Sequence, residues 1–427
     1  VVTDARRARV ELALASVAYA AAVIVTSWPL ALHAGDAVVG PTGPQVGAAW
    51  GRADLNLLIW ILGWTAHALA TQPLEIFQGN IFHPAPDTLA GSEHLLGLTP
   101  LSAPVFWLSD NAVLTYNVTI LAVVWLSAVT TFALARAWSG SAVAGFLAGA
   151  AFAFSPQQVG GFARLHVSAV HLLPLVLLLA WRAARAPRAT TLLLLWIVTA
   201  LQLLSGMYVA YAVVVMVVVL APTLVVEARR GGRSGVAPLA TIAAALPVML
   251  PVGLPYLRAK AATISPTIEQ TIANVTLLSP FPLPLLVGLL AGVTLPVVAL
   301  AVLGLVAPDR TRWHLRLGLL ALALVGFLLS LGPRPPLVPG TSLPGAYEIL
   351  MRLVPGFAAM RAPSRFSVLT MLAVVQLAAL GAAWLVAAVR GRARDTAATR
   401  SADASVASRP PRARRPAAVA ASVAVLA

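Results

Sequence analysis

Three groups of polar residues in this sequence have the types and spacing to act on a substrate. Asp54 and Asn56 stand at the head of the apolar run Asp54-Leu-Asn-Leu-Leu-Ile-Trp-Ile-Leu-Gly-Trp. A carboxylate at the edge of an apolar medium is partly desolvated, which raises its pKa toward the range of a general base. The purely structural reading is a helix N-cap, since Asp accepts the free N–H groups of a first turn. Glu93 and His94, in Gly91-Ser-Glu-His-Leu-Leu-Gly, also precede an apolar run, with Asn80 and His83 of Gly79-Asn-Ile-Phe-His-Pro upstream. Here the structural reading is Ser92 as cap with Glu93 in the first turn. The chemical reading is a Glu/His pair that orients an acceptor hydroxyl or holds a divalent metal; no metal-ligand spacing recurs, so no cofactor is expected. Arg361 and Arg365 lie four residues apart in Pro355-Gly-Phe-Ala-Ala-Met-Arg-Ala-Pro-Ser-Arg-Phe. Guanidinium groups match phosphate oxygens bidentately, and they also anchor to lipid headgroups. Arg164 with His166, and Arg258 with Lys260, are cations open to the same two readings.

The elements that must hold these residues are membrane helices. Of 427 residues 59% are hydrophobic and 10% charged, against roughly 25% charged in soluble domains. The apolar runs are continuous rather than alternating, which predicts an all-α polytopic bundle and not a β-barrel. Bounded by charge or by Pro and Gly, ten spans are expected, at about 12–32, 112–135, 137–155, 167–181, 191–205, 207–226, 236–257, 284–306, 317–332 and 366–389. None contains Asp, Glu, Lys or Arg. His171, inside a span, reads as a hydrogen-bonded packing residue. There is no cysteine, so disulfides and thiolate chemistry are excluded.

A cytoplasmic N-terminus places 21 of the 29 Lys and Arg inside and 8 outside, and 6 of the 14 acids inside and 8 outside. The whole net charge of +15 then lies on the cytoplasmic face, as the positive-inside rule requires. Attraction of short basic loops to anionic lipid accounts for that charge, so the bilayer is the expected partner and nucleic acid is not. The long first outer loop, 33–111, carries Asp36, Asp54, Glu75, Asp87, Glu93 and Asp110. Its apolar stretches Leu55 to Ala70 and Leu95 to Leu108 are expected to lie along the interface or re-enter it. Residues 390–416 read as a basic flexible cytoplasmic segment and 417–427 as the start of a further helix.

No P-loop, dinucleotide-binding glycine pattern, H-E-x-x-H or G-x-S-x-G occurs, so nucleotide and soluble-hydrolase chemistry lack support. The first-loop Asp, the long outer loop with two membrane-lying segments, and Asn80-Ile-Phe-His-Pro, Ser92-Glu-His-Leu-Leu-Gly, Ala153-Phe-Ser-Pro and Met360-Arg-Ala-Pro-Ser-Arg-Phe resemble a bacterial group within the GT-C superfamily of membrane glycosyltransferases. The topology that resembles it covers residues 1–389. The resemblance implies a multi-pass protein of the bacterial inner (plasma) membrane and an inverting, hexosyltransferase-like reaction. Its donor would be a polyprenyl-phosphate-linked sugar and its acceptor a component of the cell envelope. Asp54 matches the first-loop base, although Ala53 stands where relatives carry Gly; Asp36, preceded by Gly35, competes for the role. The rival class is a transporter or lipid flippase, for which Pro247, Pro251 and Pro255 within one span are the best support.

Overall fold

The computed structural model describes residues 2–40, 46–155, 158, 164–261, 266–278, 295–307, 312–335 and 343–407. Among these residues every regular element is helical. The helices are α1 (Val2–Thr26), α2 (Val46–Thr71), α3 (Thr99–Ser109), α4 (Ala112–Ser139), α5 (Ala142–Ala153), α6 (Leu165–Ser168), α7 (Leu173–Arg185) and α8 (Ala189–Leu203). They continue with α9 (Met207–Arg230), α10 (Val236–Ala243), α11 (Met249–Ala261), α12 (Ile268–Leu278), α13 (Leu295–Val306), α14 (Trp313–Ser330), α15 (Ala346–Leu353) and α16 (Ser367–Ala407). The chain divides into units Val1–Ala383 and Trp384–Ala427. Helix runs through 390–407, where composition predicts a flexible segment, because the Ala and Arg that dominate there are good helix formers. The further helix expected at 417–427 lies outside the described residues.

Among the described residues eight helical segments are long and apolar enough to cross a membrane, so the protein is a multi-pass helical membrane protein. Seven fall on expected spans; the eighth, Gly51–Thr71, falls in the stretch expected as the first outer loop. The spans expected at 137–155 and 191–205 are instead the 12-residue α5 and 15-residue α8. At 1.5 Å per residue α5 reaches only about 18 Å. Gly140 in a left-handed conformation ends α4, and the Ser141 side chain caps α5 directly after it. The span expected at 284–306 is described only as α13.

Helix directions alternate. At one face Glu11 of α1 pairs with Arg136 at the end of α4 (2.6 Å), while Glu227 at the end of α9 takes Arg185 from α7 (3.3 Å) and His314 from α14 (3.1 Å). These charges lie just beyond the apolar spans, because each helix continues a turn or two past its apolar stretch. At the opposite face the Asn117 amide, near the start of α4, donates to the carbonyls of Ala34 and Ala37 beyond the end of α1. Helix contact is close: a Cβ at Gly304 of α13 would collide with the Leu377 carbonyl of α16. In lipid, where apolar burial drives little association, such backbone approach supplies the packing.

Two spans are broken. The triple-proline span bends between α10 and α11 through a 3-10 turn, Leu246–Val248. The span at 167–181 is interrupted between α6 and α7, where the Gln202 side chain accepts the Leu172 N–H (2.7 Å) and donates to the Ala169 carbonyl (2.7 Å). His171 lies at this break; its carbonyl accepts from Thr130, while its buried Nδ1 has no partner among the described residues, so the ring is packed but not hydrogen-bonded there.

Helix α2 begins at Val46, well ahead of the expected Leu55, and its 26 residues include a segment long enough to cross. Its contacts nevertheless gather at the face opposite the N-terminus. Leu55 packs on Gly40, Gly63 on Ala112 at the start of α4, and the Trp107 indole donates to the Ala66 carbonyl (2.9 Å).

Candidate functional site

Glu93, His166, Tyr208 and Arg365 meet at the face opposite the N-terminus. Arg365 lies in a short 3-10 turn, Pro363–Phe366, directly before α16. One guanidinium nitrogen donates to Nε2 of His166 (2.9 Å), the group sits 4.0 Å over the Tyr208 ring, and its other nitrogen is 4.0 Å from Glu93 Oε1. A guanidinium only donates, so His166 accepts at Nε2 and carries its proton on Nδ1. That Nδ1 is buried and without a partner among the described residues. The Tyr208 hydroxyl accepts the backbone N–H groups of Arg361 and Ala362, which fixes the loop that carries both arginines.

Glu93 caps a helix to which it does not belong. Helix α9 starts at Met207 with no side-chain cap from its N-cap residue Gly206, leaving first-turn N–H groups to be satisfied elsewhere. Glu93 Oε2 accepts the Met207 N–H at 2.7 Å, with the Tyr208 N–H also directed to the carboxylate. Gly206 permits the approach: its φ is 153°, and a Cβ there would stand 2.9 Å from Oε2. Burial pushes the Glu93 carboxyl up, opposed by the Met207 N–H, the Arg365 charge and the Tyr208 N–H.

The segment holding Glu93 is not the helix start that the sequence suggests. Ser92 closes the 3-10 turn Thr88–Gly91 with its backbone N–H on the Leu89 carbonyl and caps no following helix, and Glu93 and His94 are non-helical. Contacts with α8 and α11 override the local signal. Gly97 N–H donates to the Leu204 carbonyl (2.6 Å), Tyr256 donates to the Ser92 carbonyl (2.6 Å), and Leu95 adopts φ 52°. His94 is buried beside Tyr256, accepts the Leu96 N–H at Nδ1 (3.2 Å), and is lowered to a pKa of about 3 by burial.

The remaining candidates are dispersed. Asp54 and Asn56 are exposed in the third turn of α2, so Asp54 is not an N-cap; the helix extends past it because Val46–Ala53 continues the helical pattern. Asp54 has no ion-pair partner among the described residues. Exposed Asp36 lies 3.7 Å from His33, Asn80 accepts from the Trp60 indole (2.8 Å), and His83 is exposed before a cis proline. Arg258 is committed to buried Asp87 (3.0 Å), which Gln78 also holds, and Lys260 is engaged as well. Arg164 and Arg361 are exposed, with no ion-pair partner among the described residues. No hydrogen bond or ion pair joins Asp54, Asn56, Asp36, Asn80 or His83 to the Arg365 cluster among the described residues. The described residues also hold no group of three metal-ligating side chains.

Sequence reasoning missed Tyr208, which reads as part of an apolar span; its signal was its place beside Gly206 at the head of that span. It also missed an ion network in which buried Glu348 takes Arg334 (2.8 Å) and Arg352 (2.7 Å), both also near Glu269. Those guanidinium groups, Arg334 first, hold the Glu348 carboxyl below its usual value despite burial.

Beside Arg365 and His166 a small, half-open recess continues between apolar walls of Val167, Val170, Val209, Ala212 and Val368. Fold and site together define a class: a multi-pass, all-α membrane protein with a cation-headed, apolar-walled recess at one face. No family model, curated protein or solved structure matches the chain.

Proposed function

We propose that the protein is an inverting membrane glycosyltransferase that takes its sugar from a polyprenyl-phosphate donor and acts at the extracytoplasmic face of a bacterial inner membrane. The observation that carries the reading is the recess, because a guanidinium head over apolar walls suits a phosphate joined to a hydrocarbon chain. The positive-inside rule supports assigning the recess to the outer face. Helix α2 then lies along that surface, in keeping with its one-sided contacts.

In the transfer, an acceptor hydroxyl oxygen bonds to the anomeric carbon from the face opposite the leaving group. The bond from that carbon to the phosphate oxygen breaks, and polyprenyl phosphate departs with the electron pair. Arg365 and Arg361 stabilise the charge left on phosphate. The hydroxyl proton passes to Asp54, the base implied by the resemblance, whose exposure leaves it accessible to an acceptor. The transition state resembles that of glycoside hydrolysis.

The test is transfer of labelled hexose from a polyprenyl-phosphate donor by purified protein in proteoliposomes, with an Arg365→Ala control. The breaks at α6–α7 and α10–α11 favour a second reading, movement of a lipid across the membrane without covalent transfer. Donor crossing with its sugar intact, and no transfer to any supplied acceptor, would select that reading.

A further inference from the structure

The Glu93 carboxylate is held as a bound anion would be held. It reaches α9 across 114 residues of sequence to accept its first-turn N–H groups, and it faces a guanidinium. These are the donors that a helix N-terminus and an arginine offer to an oxyanion. The site has more donors than Glu93 uses. Arg365 stops 4.0 Å short of the carboxylate, so its guanidinium keeps donor capacity that Glu93 does not take up. A phosphate has more acceptor oxygens and more charge than a carboxylate, so it can engage these donors together.

We propose that Glu93 is an internal occupant of an oxyanion site formed by the first-turn amides of α9 and Arg365, and that an incoming phosphate group takes its place. The inference rests on the reading that a phosphate reaches Arg365, and it adds that the site is self-occupied when empty of ligand. Displacement requires only the side chain to swing, because Tyr256 on Ser92 and Leu204 on Gly97 pin the backbone on either side. Glu93 then sets a threshold: a ligand binds only if it offers more to these donors than the resident carboxylate does.

The experiment measures binding of decyl phosphate to the full chain in detergent micelles, for the wild type, Glu93→Ala, Glu93→Gln and Arg365→Lys. Removing the competitor should tighten binding about 10-fold in Glu93→Ala and by a smaller factor in Glu93→Gln. Glu93→Gln retains an oxygen for the α9 amides, so it carries the test if the alanine variant does not fold. Binding by the folded glutamine variant no tighter than wild type would overturn the inference. Weaker binding by Arg365→Lys alongside unchanged Glu93 variants would leave the phosphate reading standing without displacement. Tighter binding by the Glu93 variants in a protein that transfers no sugar would leave displacement standing without the glycosyltransferase reading.

Discussion

Arg365 donates to Nε2 of His166 at 2.9 Å, joining the turn before the last helix to a short helix 199 residues earlier. The bond orients the guanidinium over the recess, and a lysine cannot make it together with the stacking on Tyr208 and the approach to Glu93, because an ammonium lacks the planar fork. Arg365→Lys is therefore expected to weaken donor binding by about 1.5–3 kcal/mol, the worth of a charge-assisted hydrogen bond. Arg361→Ala is expected to weaken it too. Unchanged affinity for decyl phosphate in Arg361→Ala would assign that residue to headgroup anchoring instead.

Asp54→Asn tests the base. The side chain is exposed within α2 and caps nothing, so folding and melting temperature should be unaffected. Turnover should fall by roughly 10²- to 10⁴-fold if Asp54 accepts the acceptor's proton. Asp36→Asn and Glu93→Gln assayed in parallel locate the base elsewhere if Asp54→Asn stays fully active while one of them does not.

His94 gives a pH signature. Its folded-state pKa is depressed to about 3, against an ordinary 6.5, because burial disfavours the imidazolium. The unfolded chain then takes up the proton first as pH falls, so stability is full above about 6.5 and declines below it, by about 2 kcal/mol at pH 5. Melting in detergent from pH 7.5 to 4.5 should show this loss, with a smaller slope in His94→Asn. Equal slopes would remove His94 as the cause.

Glu348 predicts loss at lower pH. Arg334 and Arg352 depress its carboxyl, so its contribution is present above the ordinary carboxylate pKa and lost as pH falls through the folded value. Glu348→Gln leaves two guanidinium groups facing each other and should be destabilised at neutral pH, with the difference from wild type narrowing in acid. A difference independent of pH would indicate lost packing alone.

The absence of cysteine makes single-cysteine mapping direct. Leu74, 98% exposed just after α2, is expected to react as cysteine with an impermeant maleimide added from outside intact cells. Reaction only after the cytoplasmic side is opened would mean that α2 crosses the bilayer.

Most of the bundle was legible because a long apolar run in lipid has few alternatives to helix. The errors have local causes. Charge at Asp54 suggests a helix boundary, which is the basis of its cap reading, yet α2 continues through Arg52 and Asp54 to Val46. Ser92 and Glu93 carry a capping signature that contacts from α8, α9 and α11 outweigh. Arg365 and His166 could each be selected as outer polar residues, but their pairing spans 199 positions and leaves no local trace. Tyr208 was hidden because an aromatic at the end of an apolar span looks like lipid-facing bulk.

The break before α7 has a mechanical consequence. One amide, that of Gln202, carries two backbone groups that an unbroken helix would satisfy itself. It therefore works as a pin through a joint: the two segments α6, bearing His166, and α7 are each stitched at the break to one side chain that belongs to α8. The placement of the imidazole that holds Arg365 is thereby tied to α8 as well as to its own span.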